Sequence, residues 1–382
     1  MKNCKHFGDC GGCRFQDIPY KEQLALKQKQ VEELAAAIGA QSLVKPIQSG
    51  KEWFYRGKME FTFRQQEDIA CGLYSRRTKG KVVDIEECLI FSQDAPVILK
   101  AIKEFIKQKG YSAYDKYKHK GFLRNLVLRE TKFTNQIMLG IVTTSNNSLD
   151  KEEFIKILLG LKLKSKIVSI YWIVNDSWSD AVVFEKKELL RGEPFIQETL
   201  GDLKFKIGID SFFQSNPRMI ASFYEKIGQY ANVTNEKNVL DIFCGLGSIG
   251  IFLADKAKYV WGVEIAPEAI DLARKNAELN GKENITFTAS DARKFLNTQG
   301  VFHRNKTDLL VVNPPRCGLS NKILRAIFRL NPKEIIYSSC NPKALFSDLQ
   351  ELTKGYSLES IEPFDFFPHT PHLECLTFLK RI

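Results

Sequence analysis

The sequence predicts an α/β protein whose C-terminal part is a mostly parallel sheet covered by helices on both faces. From residue 238 onward, short β-branched runs alternate with helical patterns: NVLDIF precedes GSIGIFLADKA, and YVWGVEI precedes PEAIDLARKNAELNG. This alternation is typical of βαβ units, in which neighbouring strands run parallel. The clearest helix follows Ala266, begins with Pro267 and ends before Gly281, in keeping with the positions that proline and glycine prefer. The last two strands, which end in LTFLKR, are expected to form a closing hairpin.

Composition predicts a cytoplasmic protein without a membrane span. A chain of 382 residues exceeds what one hydrophobic core usually organises, so two or three structural parts are expected. No apolar run approaches the roughly 18 residues of a membrane-spanning helix. The first thirty residues contain Cys, Asp, Glu and many Lys, and not the apolar core of a signal peptide.

Positive charge is concentrated in the N-terminal third. The chain carries a formal charge of +11, and residues 1–130 hold 24 Lys and Arg against 16 Asp and Glu. Residues 100–129 are the most basic stretch, with nine Lys and Arg. Tyr111, Tyr114, Tyr117 and Phe122 are interleaved with these charges. This pattern favours contact with RNA phosphates and stacking on bases, although basic surfaces also occur on proteins that bind no nucleic acid. No protein partner is indicated.

Residues 18–40 predict one amphipathic helix. Leu24, Val31 and Leu34 lie on one stripe of that helix. The lysines, Lys27 among them, are expected to lie elsewhere on its surface.

The next elements complete a division into three parts. Residues 53–93 alternate aromatic with polar or basic positions around glycine-containing turns, which predicts β-hairpins. We therefore expect an N-terminal cysteine and β-hairpin region over 1–93 and a smaller mixed α/β RNA-binding domain over 94–210. The parallel-sheet domain is expected over 211–382.

A glycine-rich turn predicts a site for a nucleoside cofactor. DIFCGLGSIG, residues 241–250, follows the first strand of the βαβ series and opens a helix. The glycines that fit GxGxxG are Gly245, Gly247 and Gly250. Glu264, at the end of the second strand, suits the hydroxyls of a ribose. The spacing fits NAD equally well, but Asp241, Asp291 after the third strand and NPPR at 313–316 favour S-adenosylmethionine.

A thiol and a carboxyl group are expected to face that cofactor. Asn313 and Cys340 follow two neighbouring strands, so both are expected at the ligand-binding edge of the sheet. Carbon 5 of uracil is too weak a nucleophile to attack a sulfonium methyl group, but addition of a thiolate to carbon 6 creates an enolate with charge on carbon 5. Glu374 in HTPHLECL is the predicted base that removes the proton from carbon 5 before the thiol leaves.

Three cysteines close to the N terminus predict a metal site. Cys4, Cys10 and Cys13 lie within ten residues of one another in a chain without a secretion signal. Cys88 is the preferred fourth ligand and Cys71 the second choice. Because four thiolates suit both zinc and an iron–sulfur cluster, the chemistry alone leaves the metal open.

These motifs together resemble the RNA (uracil-5-)-methyltransferase family over nearly the whole chain. The pieces that carry the resemblance are GFLRNLVLRE, FFQSNP, DIFCGLGSIG, GVEIAPEAI, NPPRCG, SSCNPKALFSDL, FPHTPHLE and the cysteine pattern. The resemblance implies a C-terminal Rossmann-like class I methyltransferase domain with an N-terminal Fe-S segment.

The resemblance also implies roles for individual residues. It implies a 4Fe-4S cluster on Cys4, Cys10, Cys13 and Cys88. It implies contacts to S-adenosylmethionine from Gln214, Phe243, Glu264 and Asn313, with Gly245 and Asp291 in the same site. It further implies Cys340 as nucleophile and Glu374 as base.

Two departures from the common family pattern bear on the RNA substrate. Many members carry an N-terminal OB-like (TRAM) domain, which we do not expect here because the first predicted cluster ligand is residue 4. Many members also have Asp where this chain has Asn313. The short branch that methylates 23S ribosomal RNA is similar on both counts, so 23S rRNA is the expected substrate and the T-loop of tRNA the alternative.

Two other functions are compatible with parts of the pattern. An NPP loop also occurs in enzymes that methylate exocyclic amines, although those usually have an aromatic fourth residue and need no SSC cysteine. A non-catalytic Fe-S module that binds RNA or senses redox state would keep the cysteines and the basic surface.

Overall fold

The computed structural model describes residues 4–179, 181–298 and 306–382, which form two seven-stranded sheets, a two-stranded hairpin and the helices around them. The helices are α1 (Tyr20–Ala36), α2 (Ala95–Lys109), α3 (Lys151–Leu159), α4 (Pro217–Ala231), α5 (Ser248–Ala254), α6 (Pro267–Leu279), α7 (Ala292–Thr298), α8 (Asn321–Leu330) and α9 (Pro342–Leu352). The strands are β1 (Lys58–Gln65), β2 (Ile69–Tyr74), β3 (Val82–Asp84), β4 (Leu123–Glu130), β5 (Gln136–Thr143), β6 (Lys166–Val174), β7 (Lys186–Gly192), β8 (Ile196–Leu200), β9 (Leu203–Ile207), β10 (Asn238–Ile242), β11 (Tyr259–Glu264), β12 (Ile285–Ala289), β13 (Leu309–Val312), β14 (Glu334–Ser339), β15 (Tyr356–Phe364) and β16 (Glu374–Arg381).

The N-terminal sheet has the order β3-β2-β1-β4-β5-β6-β7 and is antiparallel except where β5 meets β6. Helices α2 and α3 cover one face and share a core with strands β1 to β6. The other face packs against Ile207 and Ile209, which lie in and after β9, and against Leu246 of the turn after β10 in the C-terminal half. Because β1 pairs with β4, the boundary predicted between residues 93 and 94 falls inside this sheet.

The C-terminal sheet has the order β12-β11-β10-β13-β14-β16-β15. Strands β10 to β14 are parallel, and β16 runs antiparallel between β14 and β15. Helices α4, α5 and α6 fill one face, whereas α7, α8 and α9 fill the other. The predicted Rossmann-like α/β domain with its closing hairpin is confirmed.

Helix α1 packs on the C-terminal half of the molecule, although its sequence lies at the other end of the chain. Its buried side chains are Gln23, Lys27, Val31 and Ala35. Of the predicted stripe, Val31 is buried and Leu34 packs half-buried against the core, but Leu24 is not on the buried face. The expectation that Lys27 lies elsewhere is wrong, because the buried face follows a spacing of four that includes it. Burial of Lys27 is possible because its ammonium group meets the buried carboxylate of Asp365 at 2.6 Å.

The basic stretch over residues 100–129 is only partly a surface. Tyr111 and Phe122 are buried in the core that α2 forms with the N-terminal sheet, with their ring centroids 5.0 Å apart. The expectation that all four interleaved rings can stack on RNA bases is wrong for these two. Tyr117, by contrast, is 72% exposed.

None of the helices in the described ranges combines the length and the apolar character that crossing a membrane requires.

Candidate active site

The predicted site residues of the C-terminal half follow the carboxyl ends of neighbouring parallel strands. The residues and the strands that they end or follow are Phe243 and Gly245 for β10, Glu264 for β11, Asp291 for β12, Asn313 for β13 and Cys340 for β14. Glu374 opens the antiparallel strand β16 at the same edge. In a sheet of this kind the crevice along that edge is where ligands bind.

The turn after β10 leaves open space beside the backbone. Phe243, Gly245 and Gly247 adopt positive φ angles of 62°, 54° and 76°. A Cβ atom on Gly245 would meet no atom within 4 Å, whereas one on Gly247 would lie 2.5 Å from the ring of Phe287. Glycine at 247 therefore lets the turn approach the neighbouring strand, while the space over Gly245 is free for a ligand.

Two carboxyl groups flank this turn. Glu264 accepts hydrogen bonds from the backbone N–H of Gly245 at 3.2 Å and of Ile265 at 2.7 Å. Asp241 is buried and accepts from the N–H of Gly250 at 3.1 Å, but its Oδ1 has no hydrogen-bond partner among the described residues. Burial, helped by the charge of Glu264, raises the pKa of Asp241 to about 7 against the opposing effect of that N–H.

Cys340 and Glu374 face each other across two paired strands. The pairing of β14 with β16 ends with Ser339 opposite Cys375, so Cys340 and Glu374 are the next residues of the two chains, and the charge of Glu374 acts on the thiol of Cys340. Glu374 is 2% exposed, and its Oε1 lacks a hydrogen-bond partner in the described part of the chain. Burial raises the pKa of Glu374 to about 8.

The thiol of Cys340 responds to both of its charged neighbours. Burial, and after it the charge of Glu374, raises the pKa of Cys340 to about 11, while Arg316 acts in the opposite direction. Arg316 was not among the predicted site residues. Its signal in the sequence is its place in NPPR, directly after the strand that precedes the cysteine strand. Its guanidinium lies 3.1 Å from Nδ1 of His372, and its carbonyl accepts a hydrogen bond from Asn341 at 2.9 Å.

The β15–β16 loop (residues 365–373), which leads into Glu374, is held by helix α1. Lys27 donates to Asp365 at 2.6 Å and to the carbonyl of Phe367 at 3.0 Å. Gln23 accepts from the backbone N–H of His369 at 2.9 Å. These contacts fix the chain just before the buried carboxyl group.

The segment that contains the N-terminal cysteines reaches the same loop. The backbone N–H groups of Arg14 and Phe15 donate to the carbonyl of His369 at 2.8 and 3.0 Å. The hydroxyl of Tyr55 donates to the carbonyl of Pro368 at 3.0 Å. His369 has a positive φ of 65°, an uncommon conformation for a residue with a side chain.

Gln214 lies half-buried in the loop between β9 and α4. That loop joins the two halves: Ser215 accepts from the N–H of Gly57 at 2.8 Å, and the side chain of Asn216 donates to the carbonyl of Phe366 at 3.3 Å. The role of Gln214 in cofactor binding stays a prediction.

The four cysteines of the predicted cluster line a single cavity. These residues are Cys4, Cys10, Cys13 and Cys88. All are free thiols, and the second-choice ligand Cys71 is fully buried on β2, outside that lining. Across residues 4–179, 181–298 and 306–382, however, no group of three or more His, Cys, Asp or Glu side chains could hold a metal ion. The predicted iron–sulfur segment is therefore not shown.

Comparison with known proteins identifies the family of this chain. Residues 19–382 match the family model described as tRNA (uracil-5-)-methyltransferase. The chain belongs to this family. It is 36% identical to an uncharacterized RNA methyltransferase from Halalkalibacterium halodurans, over 99% of this chain and 82% of that protein. A second uncharacterized RNA methyltransferase, from Clostridium tetani, is also 36% identical, over 99% of this chain and 83% of its own length.

A solved structure agrees with this assignment. The chain is 30% identical to the Pyrococcus abyssi tRNA (uracil-54, C5)-methyltransferase, whose crystal structure contains S-adenosyl-L-homocysteine. The TM-score is 0.77, and the match covers 97% of this chain and 86% of the other. The predicted enzyme class, an S-adenosylmethionine-dependent RNA (uracil-5-)-methyltransferase, is confirmed. The narrower prediction of a short branch specific for 23S rRNA is not shown.

Proposed function

We propose that this methyltransferase methylates carbon 5 of a specific uridine in RNA through a covalent adduct on Cys340. The observation that carries the proposal is the opposition of Cys340 and the buried Glu374 at the ligand-binding edge of the sheet. A thiol nucleophile and a carboxyl base side by side are what carbon 5 chemistry needs.

The proposed reaction begins with the thiolate of Cys340. Its sulfur forms a bond to carbon 6 of the uracil, and the electron pair of the C5–C6 double bond moves to carbon 5 and its neighbouring carbonyl. S-adenosylmethionine supplies an electrophilic methyl group, which carbon 5 attacks. Glu374 then takes the proton from carbon 5, the double bond re-forms, and the sulfur leaves as a thiolate.

The pKa values of the two groups act differently: burial keeps that of Cys340 at about 11, so its thiolate needs further stabilisation when RNA binds, whereas that of Glu374 lies near neutrality. Arg316 favours the thiolate of Cys340 by its positive charge. Since burial raises the pKa of Glu374 to about 8, most of this group is neutral at pH 7, and the ionised minority is the form that accepts the proton from carbon 5. A base with a pKa near the working pH can also accept a proton and return it to solvent in each turnover.

Several residues fit S-adenosylmethionine. The free space over Gly245 accommodates a ligand close to the backbone, and Glu264 offers carboxylate oxygens for ribose hydroxyls. The unpaired Oδ1 of Asp241 is a buried acceptor that a polar ligand could satisfy. We infer that Phe243 and Asn313, which flank this crevice, bind the cofactor together with Gln214 and Asp291.

The four cysteines are proposed to hold a 4Fe-4S cluster. A single metal ion brings its thiolate ligands to within about 4 Å of one another. The described residues do not form such a close group of ligands. A cluster of eight inorganic atoms separates its four thiolates more widely and suits cysteines around a cavity. The N–H of Gly12 donates to the sulfur of Cys10 at 3.4 Å, a hydrogen bond that stabilises a cluster thiolate. When bound, the cluster would supply a structural crosslink.

The RNA substrate is proposed to be 23S rRNA, with the T-loop of tRNA as the second candidate. Resemblance to the short branch supports the first. The family description and the name of the Pyrococcus abyssi enzyme support the second. Either RNA is consistent with a cytoplasmic location, which we also propose.

The proposed reaction can be tested by trapping the adduct on RNA that contains 5-fluorouridine, since fluorine at carbon 5 cannot be removed as a proton. Cys340→Ala should abolish both methylation and the adduct. Cys317→Ala is the matched control, because this exposed cysteine lies in the neighbouring NPPRC loop. Methylation by Cys340→Ala at the wild-type rate would contradict the thiol mechanism.

The substrate and the cluster need separate measurements. Mass mapping of 5-methyluridine in 23S rRNA and tRNA from cells without the gene, followed by addition of the purified protein, identifies the RNA. Iron and sulfide content after anaerobic purification tests the cluster. Cys88→Ser should lower both, whereas Cys71→Ser should not.

A further inference from the structure

Two large aromatic side chains are exposed at one end of the N-terminal sheet. Trp178 is 80% exposed and Tyr117 is 72% exposed. Tyr117 lies in the loop before β4 and Trp178 in the loop after β6, so both loops meet at the same end of the sheet. Side chains of this size are usually largely buried, and their exposure in adjacent loops marks a binding surface.

The rings at this end lie against one another: Trp178 stacks on His119, and the ring of Tyr114 is tilted by 49° to that of His119 with centroids 6.4 Å apart. The ring of Trp178 lies on that of His119, with centroids 4.9 Å apart and planes at 27°. The hydroxyl of Tyr114 lies 3.0 Å from Nδ1 of His119, and the guanidinium of Arg124 lies 4.4 Å from the centroid of Tyr114. The outer face of Trp178 ends this stack and is open to a further planar ring.

Hydrogen bonds hold both loops in this arrangement. The buried guanidinium of Arg124 donates to three carbonyls of the second loop, at distances between 2.5 and 2.9 Å: those of Asn175, Ser177 and Ser179. In the first loop, the carboxylate of Asp115 accepts from the backbone N–H of Tyr117 at 2.8 Å. His119 is held at a positive φ of 52°. A surface fixed in advance loses little conformational entropy when it binds.

Positive groups surround the rings. The guanidinium of Arg64 lies 5.8 Å, and the ammonium of Lys116 5.4 Å, from the centroid of Tyr117. Among the described residues of the two loops, the carboxylate of Asp115 accepts from a backbone N–H group as above, and that of Asp176 accepts from the N–H of Ser145 at 2.8 Å. Positive charge therefore lies beside aromatic faces that suit bases, the combination that binds single-stranded RNA.

We propose that this aromatic patch, defined as Arg64, Tyr114, Tyr117, His119 and Trp178, binds unpaired bases of the substrate RNA, with one base stacked on the outer face of Trp178. The proposal rests on the proposed function and deepens it, because it assigns an anchoring site for the RNA. Strand β4 runs from the patch toward the junction with the C-terminal half, a distance of about 25 Å for eight residues. The patch therefore contributes to RNA binding and not to the chemical step.

The test compares Trp178→Leu with Trp178→Phe. Leucine keeps an apolar side chain but no aromatic face, whereas phenylalanine keeps a ring that can stack. The probes are unmodified transcripts of a tRNA and of 23S rRNA, and dissociation constants are taken for the transcript that the wild type binds more tightly. Because stacking of one base is worth about 1–3 kcal/mol, Trp178→Leu should weaken binding about 5- to 150-fold, and Trp178→Phe much less.

Tryptophan fluorescence adds a direct readout, since the chain has only four tryptophans. The RNA should quench the wild type through Trp178, and this part of the quenching should be missing in Trp178→Phe although that variant still binds. In methylation assays Trp178→Leu should raise KM and leave kcat unchanged. The proposal would be overturned if Trp178→Leu bound RNA within twofold of wild type, or if RNA quenched the fluorescence of Trp178→Phe as much as that of wild type. A wild type that binds RNA through the patch but methylates neither transcript would count against the proposed function alone.

Discussion

Replacement of Glu374 by Gln should change how the stability of this protein depends on pH. Glu374 is 2% exposed, and burial raises its pKa from 4.5 to about 8. The folded protein therefore binds this proton more tightly than the unfolded chain does. The contribution of protonated Glu374 to the unfolding free energy is fully present below pH 4.5 and is lost as the pH rises through 8. Glutamine carries no such proton, so the variant lacks this pH dependence.

The size of the effect follows from the two pKa values. The mismatch between the two pKa values costs the wild type roughly 1–2 kcal/mol at pH 5.5, where the folded protein keeps a proton that the unfolded chain has released, and roughly 4–5 kcal/mol at pH 8.5. The difference in unfolding free energy between Glu374→Gln and wild type should thus grow by about 3 kcal/mol in favour of the variant between these pH values. Any constant effect of the amide group cancels in this comparison.

Urea unfolding followed by circular dichroism at pH 5.5, 7 and 8.5 measures the difference. The matched control is Glu359→Gln, which removes an exposed carboxylate from β15, the strand beside β16. The control should stay within about 0.5 kcal/mol of wild type at every pH. A flat difference for Glu374→Gln over this pH range would refute the argument that a buried carboxyl group with a raised pKa lies beside the nucleophile.

Three further predictions concern the site and its supports. Arg316→Gln should raise the pKa of Cys340, and Glu374→Gln should lower it. Iodoacetamide labelling of Cys340 against pH, measured by peptide mass spectrometry, should therefore show midpoints that move in opposite directions from wild type. Shifts of the same sign would contradict the assigned neighbours. Lys27→Met leaves the buried carboxylate of Asp365 without its partner, so the unfolding free energy measured with urea should fall by about 3–5 kcal/mol. A loss below about 1 kcal/mol would mean that the ion pair is hydrated. In Gly247→Ala, the new Cβ would lie 2.5 Å from the ring of Phe287, so the variant should lose about 2–4 kcal/mol of unfolding free energy. Its affinity for S-adenosylhomocysteine, measured by calorimetry, should fall at least about tenfold. Unchanged affinity would place the cofactor elsewhere.

The C-terminal sheet could be predicted because its signals are local. Each βαβ unit shows its strand, its turn and its helix within about 30 residues, and the helix from Pro267 to Leu279 lies where its proline and Gly281 indicate. The N-terminal sheet lacks such signals. Its β1–β4 pairing joins Thr62 to Asn125. An alternating pattern predicts a strand but does not identify a partner so far along the chain, so the hairpins over 53–93 could be predicted while the larger sheet could not.

The site was predictable as a set of residues but not as a geometry. Cys340 and Glu374 could be paired on chemical grounds, but their opposition depends on the insertion of β16 between β14 and β15. The raised pKa of Glu374 depends in turn on burial by neighbours that the sequence does not reveal. The wrong prediction for Lys27 has the same origin. A lysine is expected to lie in solvent unless its distant partner, here Asp365, is known.

The N-terminal cysteine segment has a physical route to Glu374, the carboxyl group proposed as the base. The N–H groups of Arg14 and Phe15, directly after Cys13, hold the carbonyl of His369, five residues before Glu374. A cluster in the cysteine cavity would fix these two donors, and loss of the cluster would free the loop that positions the base. This route would give the proposed cluster a structural role in a reaction that transfers no electrons to or from it, and it predicts that loss of the cluster lowers methylation.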